Sequence, residues 1–173
     1  MDYKFLIKAH QDSAGSENAK LTITIGGTTV PNEGEISSSD SSSPTEITFE
    51  ATGLANPLAG TNVDMVCTLS NDYYVDTDTD RNAIIQEIWY TDKADGTNFK
   101  KYDQTSGKWV TVSSFVTGNM IQAVMTAVSG PDQPDDYSAG DYVTCWSSSP
   151  ATVTVNLPRS SGEADGYPAS SER

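Results

Sequence analysis

The sequence predicts an all-β protein: an antiparallel, jelly-roll-like β-sandwich with a C-terminal hairpin region and an extended polar tail. Apolar residues alternate with polar ones at period two, most clearly at Leu21, Ile23 and Ile25. Aspartate outnumbers glutamate by 16 to 8; aspartate suits turns, whereas glutamate is favoured in helices. The 173 residues suffice for one sizeable β domain or two small ones.

Short runs of β-forming residues, separated by polar or Gly/Pro segments, predict the strands in order. They cover residues 3–9, 21–25, 28–30, 47–51, 63–70, 83–90, 98–103, 108–112, 142–146 and 151–157. Gly26-Gly27 predicts a tight turn, and residues 104–107 predict the closure of a hairpin. Residues 119–128 fit a short helix by spacing and a strand by their β-branched content.

Three regions follow from this pattern. Residues 1–92 are predicted to form a β-sandwich, and residues 93–157 a hairpin-rich extension that completes the sandwich or forms a small second domain. Residues 158–173 form a polar C-terminal arm. The composition of this arm is typical of a disordered tail, and the alternative is an arm held by a neighbouring subunit of an assembly.

The net charge of the chain limits the classes of partner that it is expected to bind. The formal net charge is −14, from 24 acidic and 10 basic residues. Nucleic acids and anionic membranes are therefore not expected as partners, because phosphate binding requires a clustered positive surface. The apolar run at 5–7 is too short for a signal peptide. An untrimmed cytoplasmic product is expected, which can still leave the cell on a virion.

The sequence offers little catalytic apparatus. The one histidine, His10, lies at a predicted strand end with no motif around it, which argues against Ser-His-Asp or Cys-His chemistry. We therefore expect a non-enzymatic protein. Cys67 and Cys145 are either two buried thiols or one bridge that closes a long loop.

The segment between the strands at 63–70 and 83–90 carries the candidate chemistry. Four aspartates fall within nine residues: Asp72, Asp76, Asp78 and Asp80. Carboxylates this crowded either remain extended in water or gather around a cation. Calcium is the expected cation, because it takes six to eight hard oxygen ligands with flexible geometry.

An EF-hand loop is a competing interpretation of this segment. Four acids match its positions 1, 3, 5 and 12: Asp76, Asp78, Asp80 and Glu87. However, position 6 is Arg81, where the EF-hand turn requires glycine, and the flanking segments are predicted strands. The spacing is therefore interpreted as a coincidence.

The order of strand, Asn-Asp-Tyr-Tyr, acidic loop, Asp-Arg-Asn and apolar strand resembles the calcium-dependent xylan-binding domain, a β-sandwich carbohydrate-binding module. The resemblance rests on Asn71, Asp72, Asp80, Arg81 and Asn82. It extends over roughly residues 3–90, because the opening strands are also similar, and it assigns the region 1–92 to this kind of module.

The resemblance implies a division of roles within the loop. Asp72 and Asp80 would be side-chain ligands of calcium, and the calcium would coordinate vicinal hydroxyls of a sugar. Arg81 and Asn82 would brace the loop or hydrogen-bond the sugar. With Asn71, Tyr73 and Tyr74 they form the candidate ligand-binding set, in which a tyrosine offers an apolar face to the ring.

This sequence also departs from the family pattern. Ile84-Ile85-Gln86 replaces an aromatic-Val-Asp strand, and Asp76-Thr77-Asp78 lengthens the loop. With this insertion, all four aspartates are candidate calcium ligands. A calcium ion that only stiffens the loop, and a loop that is simply solvated, remain open alternatives.

These features together predict a structural protein of a virion surface, such as the capsid decoration, knob or fibre of a tailed bacteriophage. A lectin-like module there would attach weakly to host glycans, with many copies supplying avidity. The expected partners are a glycan and neighbouring subunits. The alternatives are a free, extracellular carbohydrate-binding module or lectin and, third, a small two-carboxylate glycoside hydrolase.

Overall fold

The computed structural model of the chain describes residues 2–54, 60–91, 93–94 and 98–158. The polar arm beyond residue 158 lies outside the described residues. None of the described residues forms a helix with the length and apolar character required to cross a membrane.

The prediction of an all-β, antiparallel fold is confirmed. The first eight strands are β1 Tyr3–Asp12, β2 Ala19–Ile25, β3 Thr28–Thr29, β4 Gly34–Ile36, β5 Thr45–Ala51, β6 Asn62–Leu69, β7 Tyr74–Asp76 and β8 Thr79–Asp80. The remaining seven are β9 Asn82–Tyr90, β10 Lys93–Ala94, β11 Phe99–Asp103, β12 Lys108–Thr111, β13 Ile121–Ser129, β14 Val143–Cys145 and β15 Ala151–Asn156. Within the described ranges the helical content is one 3₁₀ turn, Thr117–Asn119.

One ten-stranded antiparallel sheet makes up most of the molecule. Its order is β3-β2-β6-β15-β13-β9-β1-β5, with β4 paired to β2 and β14 paired to β9. The sheet folds over into two layers because β13 pairs first with β9 and then, from Val124 onward, with β15. The result is a nearly closed arrangement around one core.

The core lies between the two layers and follows the predicted alternation. In β2, the apolar residues face inward and the lysine and threonines between them are half-buried. The largest fully buried side chains come from both layers: Tyr3, Tyr90, Phe5, Phe49, Leu6, Ile7, Leu21, Ile23, Ile25, Ile36 and Met65. Burial of each such side chain contributes about 1.5–3 kcal/mol relative to exposure.

The structure decides the alternatives that the sequence left open along the chain. Residues 121–129 form a strand, so the helix alternative is wrong there. The hairpin of β11 and β12 is confirmed, and the Tyr102 and Trp109 rings pack edge to face at 5.7 Å. Gly26 and Gly27, with φ of 53° and 80°, form the turn between β2 and β3, as this left-handed backbone favours glycine.

The two cysteines are free thiols buried in the core. Cys67 lies on β6 and Cys145 on β14, so the two layers of the fold supply one each. Burial raises the pKa of the Cys145 thiol to about 12. Burial, reinforced by the charge of Cys145, also raises the pKa of Cys67.

Replacement of Gly34 by alanine is expected to destabilise the fold. A Cβ atom at Gly34 would lie 2.8 Å from the Phe49 ring and closer still to Ile47, two core side chains of β5. Overpacking of this kind costs about 1–3 kcal/mol. Urea denaturation measures the loss. Gly118→Ala is the control, because a Cβ there meets no atom within 4 Å; equal stabilities of the two variants would contradict the packing.

The buried thiols predict a loss of stability at alkaline pH. Unfolded thiols ionise near pH 8.5, whereas the folded thiols remain protonated, since burial raises both pKa values. Below about pH 8.5, titration of the thiols should not change the free energy of unfolding. Between about pH 8.5 and pH 12, the free energy of unfolding should fall with rising pH, by up to about 1.4 kcal/mol per pH unit for each thiol.

The contribution of the thiols is separable from that of other titrating groups by comparison with the Cys67→Ala/Cys145→Ala double variant. Urea denaturation between pH 7.5 and about pH 10 should show a steeper fall for the native sequence than for the double variant. Parallel curves for the two proteins would contradict the assignment.

Candidate functional site

The acidic loop folds into a small hairpin that projects from the sandwich. Strands β7 and β8 pair through Tyr74 with Asp80 and through Asp76 with Thr79. The Asp76 carboxylate accepts a hydrogen bond of 3.1 Å from the amide of Asp78, which stabilises the tight turn. The outer side chains of the hairpin face solvent, and Tyr74 is 61% exposed.

Arg81 anchors this hairpin to the sandwich. Its side chain is buried, and Nε and Nη2 donate to the carbonyl oxygen of Ala14 at 3.2 and 2.7 Å. Nη1 donates to the carbonyl oxygen of Asn71 at 2.5 Å. The guanidinium also lies 5.3 Å from the centre of the Tyr73 ring and 4.0 Å from the Glu17 carboxylate. These contacts satisfy a buried charge and describe a brace, one of the two roles considered for Arg81.

Asn71 fixes the other end of the loop. Its Oδ1 accepts a hydrogen bond of 2.8 Å from the amide of Lys20, and its Nδ2 donates to the carbonyl oxygen of Asn18 at 2.8 Å. Both polar functions of the Asn71 amide are thus used on the chain itself. The hairpin is held at its base by two side chains, Asn71 and Arg81, on either side of the acidic turn.

Asn82 is the centre of the best-defined polar cluster beside the hairpin. This residue is 3% exposed, and its Nδ2 lies 3.2 Å from a carboxylate oxygen of Asp12 and 3.2 Å from one of Asp80. Its Oδ1 is buried without a hydrogen-bond partner among the described residues. A buried acceptor left in this state is costly unless a donor or a cation satisfies it.

The structure therefore rearranges the set that the sequence nominated. It does not bring Asp72, Asp76 and Asp78 together with Asp80, and the first three are exposed. Within the described part of the chain, no three His, Cys, Asp or Glu side chains form a group that could hold a metal ion. Asp80 is instead paired with Asp12, because both carboxylates accept a hydrogen bond from Nδ2 of Asn82.

Asp12 is the residue that sequence reasoning missed. It ends β1, and the antiparallel pairing of β1 with β9 places it opposite Asn82 across 70 residues of sequence. No local pattern around Asp12 marks this proximity, since a polar residue at a strand end is typical of a turn. Only the register of the two strands identifies it.

The cluster fits a hard divalent cation in part. Asp12 and Asp80 would supply carboxylate oxygens, and Asn82 would supply an amide oxygen once its amide is turned over so that Oδ1 replaces Nδ2 between them. These are the ligand types that calcium prefers. Three side chains are fewer than the six to eight oxygens that calcium takes. The remaining positions are open to backbone carbonyls, water or hydroxyls of a ligand.

Comparison with protein-family models, curated proteins and solved structures gives no match for this chain. The resemblance to the calcium-dependent xylan-binding domain therefore rests on the sequence pattern of the loop and the opening strands and remains a hypothesis.

Removal of the Arg81 anchor should loosen the hairpin. Arg81→Met leaves the carbonyl oxygens of Ala14 and Asn71 without their donors, so we expect a loss of about 2–4 kcal/mol in the free energy of unfolding. Amide hydrogen exchange should also accelerate at residue 81, whose amide donates to the carbonyl oxygen of Tyr73.

The matched control is Lys108→Met, which removes a positive charge from an exposed position on β12. A change within about 0.5 kcal/mol is expected for this variant. If both variants had the same stability, the anchoring role of Arg81 would be refuted.

Proposed function

We propose that this chain is a non-enzymatic binding protein of a particle surface, in which the 71–82 hairpin region holds calcium and, through it, a glycan. The observation that carries the proposal is the buried amide of Asn82, bracketed by the carboxylates of Asp12 and Asp80 and left with an unpartnered Oδ1. With the Asn82 amide turned over, so that Oδ1 replaces Nδ2 between the two carboxylates, a cation among the three oxygens would satisfy the orphan acceptor and relieve the repulsion of the two acids.

The surroundings of this cluster support recognition beside it. Tyr73 and Tyr74 expose ring surface on the hairpin, and exposed aromatic faces pack against the apolar faces of sugar rings. The exposed carboxylates of Asp72, Asp76 and Asp78 raise the local concentration of cations around the cluster. In this arrangement Arg81 and Asn71 position the loop, and calcium, when bound, supplies coordination sites for sugar hydroxyls.

The character of the chain supports a setting on a particle surface. The protein is small, strongly acidic and rich in serine, threonine and glycine, and its described part is built on a ten-stranded antiparallel sheet from which the hairpin projects. One weak, calcium-bridged contact per copy would become effective attachment when many copies act together, as on the capsid of a tailed bacteriophage.

Calcium should raise the melting temperature of the native protein. Sites in extracellular modules bind calcium with Kd of about 10⁻⁴–10⁻³ M, so about 10 mM calcium would add about 1.4–2.7 kcal/mol. For a chain of this size, that is a rise of about 3–10 °C. Differential scanning fluorimetry with calcium, magnesium and EDTA measures it.

The Asp12→Asn/Asp80→Asn double variant should lose this rise. The control is Asp135→Asn/Asp136→Asn, which removes two exposed acids elsewhere on the chain and should retain it. A rise that survives in the first variant, or no rise in the native protein, would refute the metal site. A glycan array read with and without EDTA then tests the sugar: binding that EDTA leaves intact would reject the calcium bridge.

A further inference from the structure

A groove on the outer face of the sheet lies apart from the hairpin cluster. It has a volume of about 600 Å³ and is lined by residues of β1, β9 and β13 and of the loops near residues 41–44 and 140–142. This volume is in the range of pockets for small ligands. The groove opens at the point where β13 leaves β9 to join the other layer, after Ala123.

The irregular part of β9 forms the floor of this groove. The pairing of β1 with β9 shifts register between Lys8 and Ala9, so Gln86 has no counterpart on β1. On the other side of β9, β13 pairs as far as Ile88 and β14 begins at Ile85. Gln86 therefore lies where both neighbouring ladders are interrupted, whereas Glu87 lacks a partner only on the side of β13 and β14. Such interruptions are common at binding sites.

The hydrogen bonding of the Gln86 side chain indicates a ligand with hydroxyl groups. Its residue is 8% exposed, and Nε2 donates to the carbonyl oxygen of Ser41 at 2.8 Å. Its Oε1 is buried and has no hydrogen-bond partner in the described part of the chain. Gln86 lines the groove, so a small rotation of its side chain would bring this oxygen to the surface of the groove, where a hydroxyl of a bound molecule would donate to it.

The charges of the groove are paired and leave a slight negative excess. Lys8 Nζ lies 3.3 Å from the Glu87 carboxylate and 3.9 Å from the Glu46 carboxylate. The Glu87 carboxylate also accepts a hydrogen bond of 2.9 Å from Trp89 Nε1. One ammonium between two carboxylates does not attract an anion, which argues against phosphate, sulfate or uronate ligands.

The rim adds an aromatic platform and a second amide. Tyr142 is 52% exposed, and its ring is held edge to face against His10 at 5.9 Å. Gln122 is exposed on β13 beside the exposed Val124. A sugar ring matches this surface, because its C–H face can pack on tyrosine while its hydroxyls meet amide and carboxylate groups.

We propose that this groove binds a neutral oligosaccharide without calcium, as a second site separate from the hairpin. An extended peptide fits less well, because β9 lacks a partner on the side of β13 and β14 only at Gln86 and Glu87, a stretch too short for strand addition. The proposal does not depend on the calcium site, since no residue is shared between the two.

The probes are neutral hexasaccharides (cellohexaose, xylohexaose, mannohexaose and chitohexaose) with hexagalacturonate as the anionic counterpart, titrated into the ¹⁵N-labelled chain in EDTA. At least one neutral probe should bind and shift the Gln86 and Gln122 side-chain amides, and hexagalacturonate should bind more weakly. Absence of binding by every neutral probe in EDTA, or tighter binding of hexagalacturonate, would overturn the proposal.

Variants locate the binding. Tyr142→Ala should weaken it about tenfold and Gln122→Ala about threefold, both at exposed positions that tolerate truncation. Tyr74→Ala, an equally exposed tyrosine on the hairpin, is the matched control and should leave it unchanged. Gln86→Leu should cost about tenfold through the lost acceptor. Binding that responds to Tyr74→Ala but not to Tyr142→Ala, or that requires calcium, would refute the groove and leave the hairpin proposal standing.

Discussion

The antiparallel pairing of β1 with β9 is the constraint on which the rest of the structure depends. It joins residues 70 to 85 positions apart and places Asp12 opposite Asn82 at one end. In the middle of the same ladder it sets Lys8 against Glu87, next to the register shift at Gln86. Both candidate sites are therefore consequences of one register, and a slip of one residue would dismantle both, because every side chain would change face.

Charged residues are distributed differently on the sandwich and on the loops. On the sandwich, acids are matched by bases through pairs such as Lys4 with Glu50 and Lys20 with Glu33, which are partly exposed and individually weak. The hairpin carries four aspartates against one arginine, and the 132–141 loop carries four aspartates and no basic residue, so together they contribute −7 of the net charge of −14. The charges on the sheet thus largely cancel, whereas the excess negative charge of the loops attracts cations and repels polyanions.

Local sequence patterns predicted the strands and turns well because period-two burial and glycine-rich turns are local properties. Leu21 to Ile25 and the Gly26-Gly27 turn are examples. Residues 121–129 could not be decided locally, since tertiary pairing overrides the helical spacing of their apolar residues. The candidate site was only partly predictable: the loop was evident, but the proximity of Asp12 and the bracing contacts of Arg81 depend on distant backbone.

The division of β13 between two layers has a consequence for how the molecule comes apart. Its first three residues belong to one layer and its last six lie beside the other, without a loop between them. Neither layer can detach while the other survives, because separation would break the pairing of β13 with one of its two partners and expose the single core that both layers cover. The fold should therefore melt in a single all-or-none transition, with the groove and the hairpin disappearing at the same temperature.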